Sequence, residues 1–151
     1  MIFCPRIIQD LSLYIQNYTQ INDKITILSP YYNPISQAIL INQRNLLESQ
    51  LVYHNNSYSI DFDDLEDKFR QSVCFILTSP HNPTGTVWTQ QDLIKIANLA
   101  EQYRVFIISD DVHADFIFNN RQHQVISSFS NYVEQTHLFV LCLLKPSIWR
   151  G

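Results

Sequence analysis

Two polar segments of the chain carry side chains that could do chemistry, and each follows an apolar run. Ser79–Thr89 reads SPHNPTGTVWT and follows VCFILT at Val73–Thr78. Ile108–Phe118 reads ISDDVHADFIF and overlaps the end of VFIIS at Val105–Ser109. Buried parallel strands read as continuous apolar runs, and ligands of open α/β sheets collect beyond the carboxyl ends of the strands. The order therefore predicts that both segments lie at one edge of a sheet.

The polar side chains of these segments have plain structural interpretations as well as chemical ones. Asp110 stands where a carboxylate can pair with a cationic group, but Ser-Asp-Asp after a strand is also a common turn or helix cap. Asn82 can donate from its amide, but His-Asn-Pro-Thr-Gly is also an ordinary β-turn sequence. Gly85 is one of only two glycines, so it marks where the backbone most needs a positive φ. His113, a lone histidine in such a loop, is more often structural.

Composition places the chain among ordinary globular proteins. Its 151 residues suffice for about one domain, and 46% are hydrophobic, 16% are charged and the net charge is −4. This mild acidic balance predicts neither nucleic acid nor a membrane as a partner. No apolar run approaches the length of a membrane span, and Pro5 and Arg6 interrupt the place of a signal peptide. Three widely spaced cysteines, predicted to be buried thiols of a reducing, cytoplasmic protein, are Cys4, Cys74 and Cys142.

The remaining histidines give no sign of a metal centre. None has a second ligand at metal-binding spacing, and the sequence contains no Ser/His/Asp triad and no glycine-rich phosphate loop. They are interpreted as surface or loop residues: His54, His81, His123 and His137.

Helices and strands alternate along the chain. Periodicity and end signals predict helices over Pro5–Tyr18, Pro34–Asn42, Asp61–Arg70 and Thr89–Arg104. Short apolar or β-branched runs predict strands over Lys24–Leu28, Leu46–Tyr53, Val73–Thr78 and Val105–Ser109. Strands separated by helices favour a three-layer αβα sandwich with a mostly parallel sheet.

In this order and context the two segments resemble the heart of a pyridoxal-phosphate (PLP) enzyme. They are similar to the cystathionine β-lyase branch, of the MalY/PatB type, within the aspartate-aminotransferase superfamily. The similarity runs from about Ile2 to Phe139 and covers the middle of the family's large domain. It implies PLP as the cofactor and the fold of that PLP-binding domain.

The resemblance assigns roles to three residues of the two segments. Asp110 is expected to face the pyridine nitrogen, and the Asn82 amide is expected to donate to the cofactor O3′. His113 stands where this branch carries a histidine near O3′ and where aminotransferases usually carry tyrosine. Asp111 departs from the pattern, because relatives usually have glutamate there.

The resemblance extends to two earlier parts of the chain. Tyr32, in SPYYNP, resembles the aromatic residue stacked on the pyridine ring, and Tyr31 is its structural neighbour; ordinary packing is the alternative for both. Arg6 and Ile7, in CPRIIQDLS, match the start of the helix whose first N–H groups approach the phosphate.

The lysine region departs most from the family. Relatives carry a segment like SPSKTFNLAG, whose lysine forms the Schiff base, whereas the chain reads LCLLKPSIWRG over 141–151. One permitted spelling of 144–151 is CTA AAA CCT TCA ATT TGG CGG GGG, and reading from the last base of the first codon gives Lys-Thr-Phe-Asn-Leu-Ala-Gly. We therefore expect 1–142 to be the central part of the large domain and 143–151 to be an out-of-frame tail, with Lys145 not the catalytic lysine. The alternative is a divergent but genuine Lys145.

By ancestry the expected activity is PLP-dependent carbon–sulfur β-elimination. A cystathionine-like cysteine conjugate would give pyruvate, ammonia and a thiol. An aminotransferase is the second enzyme reading. The family's N-terminal segment and small C-terminal domain, with its substrate-binding arginine, are expected to be absent. The 151 residues are therefore expected to be a non-catalytic pseudogene remnant of an enzyme whose intact relatives are homodimers. A small module that keeps PLP noncovalently is a further possibility.

Overall fold

The computed structural model describes residues 7–117 and 122–140, with the backbone alone over 134–140. The helices within these ranges are α1 (Ile7–Tyr18), α2 (Asn33–Ile41), α3 (Phe62–Phe69), α4 (Gln90–Tyr103) and α5 (Asn131–Thr136), with a 3-10 turn at Ile126–Phe129 before α5. The strands are β1 (Lys24–Ser29), β2 (Asn45–His54), β3 (Ser57–Ile60), β4 (Cys74–Thr78), β5 (Phe106–Asp110) and β6 (His137–Val140).

The described strands form one sheet in the order β3-β2-β1-β4-β5-β6. All neighbours are parallel except β2 and β3. One core cluster joins this sheet to α1 and α2, and the other joins it to α3, α4 and α5. All five residues of β4 are buried, as expected for a central parallel strand covered on both faces. The predicted three-layer αβα sandwich with a mostly parallel sheet is confirmed.

The predicted helices and strands all form within the described residues, with small changes at their ends. Thr89 caps α4 as part of a capping box, in which Asp92 N donates to Thr89 Oγ1 (3.2 Å) and Thr89 N donates to the Asp92 carboxylate (3.0 Å). Asp61 caps α3 by accepting from the N–H groups of Asp63 and Asp64. The predicted start of the first helix, at Pro5, lies outside the described residues.

Four elements were not predicted from the sequence: β3, the 3-10 turn, α5 and β6. β2 and β3 form a hairpin through Asn55 and Asn56, which both have positive φ (49° and 59°). Asparagine tolerates this conformation, which two-residue hairpin turns require.

A buried arginine holds the carboxyl end of α1. Arg44 Nε donates to Thr19 Oγ1 (2.9 Å), and the same guanidinium donates to the carbonyls of Asn42 (2.6 Å) and Ile15 (3.3 Å). A cation at this place satisfies helix carbonyls that lack partners and complements the helix dipole. The contact fixes the orientation of α1, whose first turn contains Ile7.

Cys74 is buried, and this burial raises the pKa of its thiol. The prediction of a buried thiol is confirmed there, while Cys4 and Cys142 lie outside the described residues. None of the helices in the described ranges is long and apolar enough to cross a membrane.

Candidate active site

The segments after β4 and β5 meet at the carboxyl ends of these strands. Thr78 and Asp110 are partners in the register, and Ser79 N donates to the Asp110 carbonyl (2.9 Å). A cleft of about 280 Å³ lies between the two segments and is lined by Pro80, His81, Asn82, Pro83, Gly85, His113 and Phe116. The structure thus brings Asn82 and His113 into one cleft, while Asp110 is the last residue of β5, three positions before His113.

The loop after β4 is closed by its own backbone. Gly85 N donates to the His81 carbonyl (2.7 Å), and His81 N donates to the Thr86 carbonyl (2.8 Å). Gly85 has a φ of +69°, and a side chain there would meet no atom within 4 Å. The positive φ, and not a lack of space for a side chain, is therefore the reason that glycine is favoured at this position.

His81 organises this loop from the inside. It is only 3% exposed, its Nδ1 is 2.9 Å from Thr84 Oγ1, and the Thr84 hydroxyl is 2.8 Å from that of Thr86. Burial lowers the pKa of His81 to about 4, against the opposing hydrogen bond of the Leu28 backbone. His81 lies in a loop, as predicted, but its side chain is buried.

Trp88 anchors the other end of the loop. Its Nε1 donates to the Thr78 carbonyl (3.0 Å), its side chain is buried in the core, and its ring meets the His81 ring edge-on at 5.4 Å. Sequence reasoning did not identify His81 and Trp88 as residues that support the loop carrying Asn82. The available signal was the aromatic residue directly after the turn, with threonines at alternate positions.

Asp110 ends β5 with a half-buried carboxylate. Its Oδ1 accepts from Val112 N (3.3 Å), and the described residues offer it no ion-pair partner. Burial raises the pKa of Asp110 to about 6, and the charge of Asp111 adds to this against the Val112 hydrogen bond. A cation placed at this carboxylate would offset its desolvation.

Asp111 lies deeper than Asp110. It is 2% exposed, Ser109 Oγ donates to its Oδ1 (3.0 Å), and His123 Nε2 lies 3.5 Å from the same oxygen. His123 lies outside the helices and strands, as predicted for a loop residue, but only 15% of its side chain is exposed.

The two tyrosines after β1 are placed differently. Tyr31 donates to Glu48 Oε1 (2.8 Å) and packs against the core, and burial raises the pKa of its hydroxyl. Tyr32 is the residue before α2 and is 45% exposed. The structure therefore leaves the ring of Tyr32, rather than that of Tyr31, open to a ligand.

Ile7 is the first residue of α1 and packs against the core cluster under this helix. Arg6 and Lys145 lie outside the described residues, as do residues 143–151.

Comparison with known proteins identifies this arrangement. The sequence model of the family described as aminotransferase class I and II matches residues 12–143. The chain belongs to this family. Because the match spans most of the chain, it includes both segments that line the cleft.

The chain is similar both to a carbon–sulfur lyase and to an aminotransferase. The chain is 33% identical to cystathionine beta-lyase PatB of Bacillus subtilis (strain 168) over 131 residues, which is 85% of the chain and 34% of that protein. It is 26% identical to aromatic-amino-acid aminotransferase 2 of Thermococcus litoralis over 129 residues, which is 85% of the chain and 33% of that protein. The chain thus spans about a third of the length of these curated relatives.

A solved structure shows the same fold with the cofactor bound. The PLP-bound C-S lyase from Staphylococcus hominis superposes with a TM-score of 0.86 at 27% identity, over 93% of this chain and 36% of that one. This neighbour supports PLP as the cofactor of the family.

The donor set at the strand ends fits this cofactor. The Asp110 carboxylate is desolvated and lacks a described cationic partner, so it suits a protonated ring nitrogen. An amide at Asn82 and an imidazole at His113 share the adjacent cleft and offer hydrogen bonds to ring substituents.

Proposed function

We propose that the chain forms the PLP-binding core of a carbon–sulfur β-lyase, with Asp110 as the partner of the pyridine nitrogen. The observation that carries this proposal is the half-buried Asp110 carboxylate, whose pKa is raised to about 6 by burial at the carboxyl end of β5. A carboxylate held ionised in such a place needs a cation, and a pyridine N–H supplies one.

The neighbouring residues supply the rest of the binding site in this proposal. Asn82 donates from its side-chain amide to the cofactor O3′, and His113 lies beside that oxygen. Tyr32 covers one face of the ring. The phosphate lies at the start of α1 in this proposal, where the N–H of Ile7 donates to it, because a helix N-terminus favours an anion. The resemblance assigns the same role to Arg6, which lies outside the described residues.

When bound, PLP withdraws electrons from the substrate Cα and so makes the carbon–sulfur bond at Cβ easier to break. The chain's own residues prepare this chemistry. Asp110 keeps a proton on the ring nitrogen, and Val112 N–H orients that carboxylate. The His81–Thr84 contact holds the loop that carries Asn82. Pro80, Pro83 and Phe116 contribute apolar rings to the lining of the cleft.

The proposed substrate is a cysteine conjugate such as cystathionine. Its cleavage with one water gives pyruvate, ammonia and the thiol. Support comes from the similarity to PatB, which is named as a cystathionine beta-lyase, and to a C-S lyase structure. His113, which the resemblance associates with the lyase branch, favours the same choice.

Transamination is the second candidate, favoured by the similarity to the Thermococcus litoralis aminotransferase. The two are separated by incubating the purified chain and PLP with cystathionine. A lyase releases thiol and pyruvate in equal amounts without a keto-acid acceptor. An aminotransferase forms glutamate only when 2-oxoglutarate is added and releases no thiol. Absence of both reactions would support a non-catalytic remnant.

The role of 143–151 is tested at the level of the gene. We propose that these residues are read out of frame, so resequencing the coding DNA from Val140 onward should either restore Lys-Thr-Phe-Asn-Leu-Ala-Gly or confirm the shift. A covalent adduct of PLP at Lys145, trapped by borohydride and located by peptide mass spectrometry, would contradict this reading.

A further inference from the structure

Asp111 and His123 form a second titratable pair behind the candidate site. Within the described residues, Asp111 Oδ2 and both ring nitrogens of His123 are buried and make no hydrogen bond. His123 Nε2 nevertheless lies 3.5 Å from Asp111 Oδ1, within ion-pair distance. A buried carboxylate is costly unless a cation or several donors compensate it, and His123 is the described group placed to do so.

The Asp111 side chain does not act as a turn cap. In a capping turn the carboxylate accepts a backbone N–H shortly after it, and here Asp110 makes that contact with Val112. The Asp111 carboxylate instead accepts a hydrogen bond from the Ser109 hydroxyl and lies 3.5 Å from His123 Nε2. The alternative interpretation of Ser-Asp-Asp as a turn thus applies to the first aspartate, and the second needs another explanation.

The backbone of Asp111 starts the turn that carries His113. Ala114 N donates to the Asp111 carbonyl (2.9 Å), and Phe116 N donates to the His113 carbonyl (2.9 Å). Anything that fixes Asp111 therefore fixes Asp110 on one side of it and His113 on the other.

We propose that Asp111 and His123 are a positioning pair, in which the imidazole holds the buried Asp111 carboxylate and thereby sets the places of Asp110 and His113. Their relevance to catalysis rests on the proposed function, while the coupling itself does not. Other titratable side chains at this end of the sheet are His81, in the loop after β4, and Asp115, which is exposed on the same turn.

The coupling is measured in the cofactor-free chain by carbon-13 NMR of labelled aspartate. Burial raises the pKa of Asp110 to about 6, so its carboxyl is expected to titrate near that pH in the wild type. Asp111→Asn removes a neighbouring negative charge and should lower this midpoint. His123→Gln removes the compensating ring and should raise it. Asp111→Glu, which keeps the charge, should restore the wild-type midpoint, and Asp115→Asn is the exposed control that should leave it unchanged.

Hydrogen exchange gives the second readout. Asp111→Asn and His123→Gln should speed exchange of the Ala114 and Phe116 amides about tenfold while β4 amides stay protected, as expected for local opening. An unchanged Asp110 midpoint in both variants, or uniformly faster exchange, would overturn the positioning role. If Asp111→Asn does not fold, Asp111→Glu and His123→Gln decide the matter.

The two proposals fail in different ways. If the wild type does not bind 4-deoxypyridoxine 5′-phosphate, an analogue without the aldehyde, the proposed function fails. The positioning pair would still stand if the Asp110 midpoint responds to Asp111 and His123 as stated.

Discussion

The loop after β4 and the turn after β5 follow neighbouring strands but differ in how their polar side chains are hydrogen-bonded. In the loop, His81, Thr84 and Thr86 bond to one another, and Trp88 donates to Thr78. In the turn, the Asp110 carboxylate accepts one described backbone N–H and burial raises its pKa.

This difference indicates that the loop after β4 has a supporting role and that the turn after β5 carries the group available to a ligand. Polar groups that are satisfied inside the protein hold a shape and need nothing further. A desolvated carboxylate that lacks a cation costs stability, and such a cost persists where a ligand offsets it. Mutations in the loop are therefore expected to lower the stability of the chain, whereas removal of the Asp110 carboxylate in the turn is expected to raise stability and to weaken ligand binding.

The largest expected effect is on the supporting loop. Trp88→Ala removes a buried ring and should lower the free energy of unfolding by about 3–5 kcal/mol. Trp88→Phe keeps most of the volume but loses the hydrogen bond to Thr78, and should cost about 1–2 kcal/mol. Urea denaturation followed by circular dichroism measures both. Similar small losses in the two variants would mean that Trp88 does not anchor the loop.

Acid should weaken the same loop through His81. Its pKa is about 4 in the folded chain, below the ordinary value of 6.5. As the pH falls from 6.5 to 4, the unfolded chain takes up a proton that the folded chain refuses, so stability is lost. Wild type should lose up to about 3 kcal/mol more than His81→Gln between pH 7 and pH 4. His54→Gln, at an exposed position, is the control and should follow the wild type.

The pH dependence of stability that comes from Asp110 should have the opposite sign to that from His81. Its folded pKa of about 6 lies above the ordinary 3.8. As the pH rises from 3.8 to 6 the unfolded chain releases its proton first, so stability falls. Asp110→Asn should therefore stabilise the chain by up to about 3 kcal/mol at pH 8, with the gain vanishing below pH 3.8. A destabilised Asp110→Asn at pH 8 would show that the carboxylate is already well compensated. Asp115→Asn is the matched control.

The smallest expected effect concerns Gly85. Gly85→Ala places a side chain at positive φ and should cost about 1 kcal/mol, whereas Gly85→Asn should cost less. Thermal unfolding of the two variants side by side tests this. Equal losses would mean that conformation is not the reason for glycine here.

Much of the architecture could be predicted from the sequence because local signals were strong. The apolar runs before Ser79 and Asp110 indicated central strands, and Thr89 with Asp92 indicated a helix start. β3 was missed because Ser57–Ile60 is short and mixed, so only its pairing with β2 defines it.

The candidate site was predictable in its location but not in its support. Asp110 is the last residue of β5, and Asn82 and His113 lie in the segments after β4 and β5, so the topology places all three at the same edge of the sheet. The burial of His81 depends on Trp88 and the core, and the Asp111–His123 pair joins residues well separated in the chain. Such contacts carry no local periodicity or motif, so sequence reasoning left both histidines as surface or loop residues.

The most direct test is equilibrium binding of 4-deoxypyridoxine 5′-phosphate to the purified chain at pH 7.5, by isothermal titration calorimetry. Because Asp110 is proposed to pair with the ring nitrogen, Asp110→Asn should weaken binding at least about tenfold relative to the wild type and to Asp115→Asn. Equal affinity of the wild type and Asp110→Asn, or no binding by the wild type, would contradict the assignment of Asp110 to the cofactor.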